Sequence, residues 1–306
     1  MTNKNYILLV GNYGHTNIGD MLLKKAAIQQ YSDSQIKVMS PAYGDFPIFT
    51  TGFRSLIKHP LNNWKAFRAI TLSKKVVFGG GGLLNSQNKH SLLIWGPILL
   101  TSLILRKPIE LNAQSFSSIP TVFLKFMLKN VDAISVRDNL SHQYLKNAGV
   151  KSELVEDLAL SLSTESIQNV FDDIKFTSDL DKLPKTDYIL LNARTYKALP
   201  SSVYLDLQDW VQKSKYQIVF TPFDIADVDF YNKYLKDLGV IIANPSLKLF
   251  KSAYKIIGMR LHFLLVAQKL KMQFTPLSYA PKVIGMFGTQ KCIDLYNYDK
   301  QKNPLN

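Results

Sequence analysis

Short, apolar, β-rich runs alternate with longer amphipathic stretches along most of this chain, and that alternation constrains its fold more than any other feature. Residues 6–10, 35–39, 75–78, 109–112 and 133–136 read as strands, with helical patterns between most of them. A second series follows at 187–192, 216–220, 240–243 and 255–258. Strands separated by helices predict βαβ crossovers, parallel sheets and functional loops at the strand carboxyl ends. Between the two series, residues 161–186 are rich in Ser, Thr and Asp and are interrupted by Pro184, which places a domain boundary there. The 306 residues suffice for two doubly wound domains, each with its own core. Two such domains facing each other would leave a cleft as the natural ligand site.

Charge narrows the partners. Lys and Arg number 37 against 23 Asp and Glu, a formal net charge of +14, so anionic ligands or surfaces are expected. The basic residues are scattered and form no compact basic helix, which argues against nucleic acid and toward phosphorylated substrates or an anionic membrane surface. The single cysteine, Cys292, allows no disulfide within the chain and no cysteine-built zinc site; an ordinary buried thiol in a reducing compartment is expected. The start of the chain lacks a basic-then-apolar secretion signal, so a cytoplasmic protein is expected. Residues 91–105, SLLIWGPILLTSLIL, are too short to span a bilayer. Two readings stay open for them: a buried helix, and a membrane-facing patch at the inner face, since Arg106 and Lys107 follow directly.

Several strand ends carry chemistry-bearing residues. The first empties into Gly11, Asn12, Gly14, Gly19 and Asp20, where glycines allow close backbone approach and a helix N-terminus favours an anion. Asp20 is expected to cap that helix, and His15 reads equally as part of the ligand loop or as a loop residue without a role. Four glycines, Gly79, Gly80, Gly81 and Gly82, follow the third strand and favour a ligand-lining loop. At the fifth, Asp138 is a plausible cap, with Arg137 either free to reach a ligand or held in a local ion pair. The second series delivers Arg194, then Arg260 and His262 at the turn into an apolar helix, and Lys282 after a further turn. Neither a guanidinium nor an imidazole is buried cheaply without a partner, so these positions ask for an anion or a reacting group. No His or Cys cluster has metal-ligand spacing, and no G-x-S-x-G elbow occurs. Asp227 and Asp229 have D-x-D spacing but fall in a helical pattern, where residues two apart do not share a face.

Taken in order, GNYGHTNIGDMLL, VVFGGGGLL, SVRDNLS, VEDLAL, MRLHFLLVA and LSYAPKVIGMF resemble the polysaccharide pyruvyl transferase family. The resemblance implies an α/β fold of two facing Rossmann-like domains, similar to the glycosyltransferase-B class. Residues 1–165 would form the N-terminal domain with the acceptor side and part of the cleft, 186–290 the phosphoenolpyruvate side, and 291–306 a C-terminal tail. It implies transfer of a pyruvyl group from phosphoenolpyruvate onto two sugar hydroxyls as a cyclic ketal, with no metal and no cofactor beyond that co-substrate. The acceptor would be a cell-surface polysaccharide or its lipid-linked precursor.

His262 matches the family's catalytic histidine, and Arg260 lies in the same motif. Arg260, Arg194, Lys282 and Arg137 would bind the donor, whose phosphate and carboxylate suit guanidinium forks and an ammonium charge. Asp157 and Asp20 are acceptor-side or structural carboxylates. The family's glycine-rich turn after the fourth strand is replaced here by residues 112–117, NAQSFS. A nucleotide-sugar glycosyltransferase of the same architecture is the rival enzyme reading, and a non-catalytic membrane-associated scaffold is the rival of another class.

Overall fold

In the computed structural model, which describes residues 6–14, 16–42, 44–50, 59–84, 89–177, 184 and 186–295, strands occur at all nine expected places. The chain divides into two compact units, Met1–His15 with Asp20–Ser161, and Thr16–Gly19 with Leu162–Asn306.

The first unit carries β1 (Tyr6–Val10), β2 (Gln35–Met39), β3 (Ser73–Phe78), β4 (Ile109–Gln114), β5 (Ala133–Val136) and β6 (Glu153–Leu154). They form one parallel sheet in the order β2-β1-β3-β4-β5-β6. Its helices are α1 (Ile18–Gln30), whose first two residues group with the other unit, α2 (Pro60–Leu72), α3 (Lys89–Ile104), α4 (Thr121–Leu128) and α5 (Asn139–Asn147). β1 is buried at every position, because helices cover both sheet faces and a central parallel strand has no solvent side. Leu8, Val10, Val76 and Phe78 face one layer with α2 to α5, while Ile7, Leu9 and Val77 face the other with Leu23 and Ala27 of α1.

The second unit holds α6 (Thr164–Asp173), β7 (Tyr188–Asn192), α7 (Ser201–Lys213), β8 (Gln217–Phe220), α8 (Ile225–Tyr234), β9 (Ile241–Ile242) and α9 (Leu247–Lys251). It continues with β10 (Lys255–Gly258), α10 (Leu261–Lys269), β11 (Phe274–Ser278), α11 (Pro281–Phe287) and β12 (Ile293–Asp294). Its parallel order, β12-β11-β10-β7-β8-β9, is that of the Rossmann fold. Phe171, Phe223, Phe250 and Phe263 stack edge and face inside it.

Three strands, β6, β11 and β12, lie outside the expected set. Two span a pair of residues each, and Pro276 disguises β11 as a turn. Residues 91–105 lie almost wholly in α3, which continues through Pro97 and is mostly packed against the sheet; Leu93 and Ile104 remain exposed. No helix among the described residues is long and apolar enough to cross a membrane. Cys292 is half-buried rather than buried, and burial, with Asp294 nearby, pushes its thiol up to about 11. Residues 296–306 of the expected tail, and His15, lie outside the described residues.

Candidate active site

In the second sheet the order reverses between β7 and β10, and β11 flanks β10, so three strand ends stand side by side where open α/β sheets take ligands. β7 delivers Arg194, β10 delivers Arg260 and His262, and β11 delivers Tyr279 and Lys282. Asn192, wholly buried, ties the turn together. Its Oδ1 accepts from the Arg260 backbone N–H at 3.2 Å, and its Nδ2 donates to the Thr221 carbonyl at 2.9 Å and to Asp227 at 3.2 Å.

Arg260 is 7% exposed and its guanidinium is already engaged. Nε donates to both Asp227 oxygens at 3.0 and 3.1 Å, Nη2 donates to Asp227 at 2.6 Å, and Nη1 lies 3.3 Å from Asp224. Burial works against the charged form, but the Asp227 and Asp224 carboxylates outweigh it and hold the guanidinium above its ordinary pKa. Asp227 sits in α8, as the helical pattern predicts, yet it is a central residue that the D-x-D argument passes over. One signal was available: Asp227, Phe230 and Tyr231 share the buried face of α8. A carboxylate on an apolar stripe requires a cation.

Tyr279 is the second residue missed. Its ring is 2% exposed, with Arg194 Cζ at 5.9 Å and Lys282 Nζ at 5.6 Å from the centroid, and Tyr196 against it edge-on at 4.9 Å. Burial alone would raise its pKa; Lys282, Arg194 and Arg260 reverse that and hold the phenol below its ordinary value. Arg194, Lys282 and Arg260 thus act on one buried phenol, which in the sequence stands only as part of the SYAPK run. His262, half-buried in the first turn of α10, lies against Gly19 of the same unit: a Cβ on Gly19 would stand 2.2 Å from the imidazole Nδ1. Only a glycine leaves that space.

The first unit has its own switch point, between β1 and β3. There Asn12, Asp20, Gly80, Gly81, Gly82, Ser91 and Trp95 line a cavity of about 240 Å³. Asp20 does not cap α1, which begins two residues earlier at Ile18; it sits within the first turn and accepts from Asn12 Nδ2 at 2.9 Å. Gly11 and Gly79 have an architectural reason as well, because Tyr13 packs over both and its oxygen would stand 1.9 Å from a Cβ on Gly79. Gly14 and Gly81 take positive φ, +93° and +114°. The NAQSFS turn is held by Gln114, whose Nε2 donates to the Phe78 and Gly79 carbonyls and fastens the glycine loop.

Arg137 is 5% exposed, with Nη1 donating to Asp157 at 2.5 Å and Nε to Ser115 at 2.9 Å. The ion-pair alternative therefore holds for Arg137, with a partner twenty residues on rather than the neighbouring Asp138. Asp138 caps α5, accepting from the Ser141 N–H at 2.8 Å. No group of three or more His, Cys, Asp or Glu among the described residues could hold a metal ion.

A family model described as polysaccharide pyruvyl transferase matches residues 17–281. No curated protein sequence matches the chain. Among solved structures, UDP-GlcNAc 2-epimerase from Methanocaldococcus jannaschii is similar with a TM-score of 0.60 at 12% identity, over 98% of this chain and 95% of that one. S. aureus MnaA, solved with UDP, gives 0.57 at 11% over 98% and 89%. Anabaena HepE, in complex with UDP-glucose, gives 0.53 at 10% over 89% and 80%. At such identities the likeness shows the fold alone, which is GT-B-like.

Proposed function

Because the chain belongs to the polysaccharide pyruvyl transferase family, we propose that it moves a pyruvyl group from phosphoenolpyruvate onto two hydroxyls of a sugar, in a cell-surface polysaccharide or its lipid-linked precursor. The observation that carries this reading is the convergence of Arg194, Arg260 and Lys282 on Tyr279, with His262 on the same strand-end turn as Arg260. A donor bearing both a phosphate and a carboxylate needs more than one cation, and it needs them around an acid–base group.

In the proposed reaction, a proton reaches the methylene carbon of phosphoenolpyruvate, and the oxocarbenium centre formed at C2 is captured by the first sugar hydroxyl. Loss of phosphate regenerates such a centre, and the second hydroxyl closes the ketal. Two hydroxyl protons are released overall; one ends in the new methyl group and the other on phosphate. His262 is the group proposed to move them. Arg194 and Lys282 take the donor's anionic groups and offset charge as phosphate departs. Arg260, its charge shared with two carboxylates, holds the turn that presents His262 and offers its remaining N–H donors. Arg137 and Asp157, committed to each other, brace the β5 turn. Asp20, Asn12 and Gly80–82 line the cavity proposed for the acceptor.

Thermal unfolding with phosphoenolpyruvate, inorganic phosphate or UDP-glucose as titrant tests the donor. Stabilisation by phosphoenolpyruvate beyond that by phosphate, lost in Arg194→Ala and Lys282→Ala, is the expected result. Stabilisation by UDP-glucose alone would sink the proposal and favour the glycosyltransferase reading, to which the UDP-bound neighbours lend weight.

A further inference from the structure

Between Asp45 and Asp132 the chain has eleven Lys or Arg and a single acid, Glu110, which is tied to Lys75 and Tyr31. Most of the +14 net charge therefore belongs to one stretch of the first unit. The same stretch contributes α2, α3 and α4, whose inner faces share one core cluster on one side of the sheet. Their outer faces expose large apolar side chains, interleaved with basic ones, where a water-facing helix would be polar throughout. On α2, Trp64 is 60% exposed, with Leu61 and Phe67 beside it; on α4, Val122 and Phe126 are 83% and 68% exposed; α3 adds Leu93 and Ile104. Lys65 and Arg68 interleave the α2 stripe, and Lys125 and Lys129 the α4 stripe, all exposed. Surface aromatics scattered singly need no explanation, but successive helices showing them on the same side of a sheet do.

A groove of about 730 Å³ opens where α4 ends, lined by Lys125, Phe126, Lys129 and Lys151. Its one carboxylate, Asp132, accepts from the Ile109 N–H at 2.7 Å and so has part of its hydrogen-bonding capacity engaged within the fold. Three lysines beside an exposed phenylalanine join a site for an anionic headgroup to an apolar anchor.

We propose that the outer face of α2, α3 and α4 docks on an anionic phospholipid bilayer, the exposed side chains entering the headgroup boundary and the α4 groove taking a lipid phosphate. Apolar contact and charge must act together, since either alone holds a protein on a membrane only weakly.

Flotation of the full-length protein with phosphatidylglycerol-rich vesicles, against phosphatidylcholine vesicles, tests this. The wild type should bind the anionic vesicles only, and less as salt rises. Trp64→Ser with Phe67→Ser, and Lys125→Glu with Lys129→Glu, should each weaken binding at least about tenfold with unchanged thermal unfolding. Leu205→Ser, at an exposed apolar residue of the second unit, should bind as the wild type does. Absence of wild-type binding, equal binding by the double variants, or equal loss in Leu205→Ser overturns the proposal. Concentration-dependent self-association that Trp64→Ser with Phe67→Ser abolishes, without vesicle binding, would assign the face to a second copy of the chain instead.

Discussion

His262 and Gly19 act as a unit, because the imidazole occupies the space a β-carbon would fill. If His262 moves protons, His262→Ala lowers turnover by about a hundredfold to ten-thousandfold while leaving thermal unfolding close to that of the wild type. Gly19→Ala should lower turnover by about a hundredfold through displacement of the ring alone, even though alanine suits a helix better than glycine. Full activity in Gly19→Ala would detach His262 from the chemistry. Arg260 and Asp227 are a buried pair in which removing one charge strands the other, so Asp227→Ala should cost about 3–5 kcal/mol of stability in urea unfolding. Tyr279 supplies a test of the cation cluster itself. A phenol whose native pKa lies below its unfolded value stabilises the fold only where the native state loses its proton ahead of the unfolded chain. The wild type should therefore gain stability over Tyr279→Phe as pH rises toward the ordinary 10.0, and lose that advantage as pH falls through the native value. A stability difference that is constant from neutral to alkaline pH would show that the three cations do not act on the phenol.

At the scale of elements, caps and crossovers determine which side chains reach the sheet ends. Asp138 holds the Ser141 backbone N–H and hydroxyl and accepts from Ser115, so one carboxylate starts α5 and joins it to the β4 turn. Asp138→Ala should cost at least about 1 kcal/mol, measured by chemical unfolding, because the cap is buried and its partners lose their acceptor. That cap was legible in S-V-R-D-N-L-S, as were the strands before α1, α5 and α10, since a cap and an apolar run are local signals. The start of α1 was not. Asp20 has the chemistry of a cap, but Ile18 begins the helix, its N–H donating to the carbonyl of Phe223, more than two hundred residues away. Gln114 is similar: nothing local marks it as the fastening of the Gly79–Gly82 loop, because its partners come from the end of a neighbouring strand.

For the whole molecule, donor binding must appear as stability, since a ligand that binds only the folded chain raises its unfolding free energy by mass action. Phosphoenolpyruvate at about a hundred times its dissociation constant should add about 2.7 kcal/mol, read as a rise in melting temperature. The increment should shrink with added salt, because the site's charge rests partly on the half-exposed Arg194 and the exposed Lys282. A rise that phosphate reproduces in full would mean that the carboxylate is not recognised.

The parallel α/β architecture, the family and the strand ends that carry Arg194, Arg260 and His262 were all legible in the amino-acid sequence, and so was the SYAPK run that holds Lys282, though not the strand before it. Hydrophobic periodicity and short motifs are local, and a parallel sheet brings its strand ends together wherever the crossovers run. Which of the basic side chains are already paired, Arg137 included, emerged from the folded structure. It paired Arg260 with Asp227 and Arg137 with Asp157, placed Tyr279 among three cations, and set Gly19 against His262. Charge neutralisation depends on through-space distance in a low-dielectric interior, and distance between residues tens to hundreds of positions apart exists only once the chain has folded.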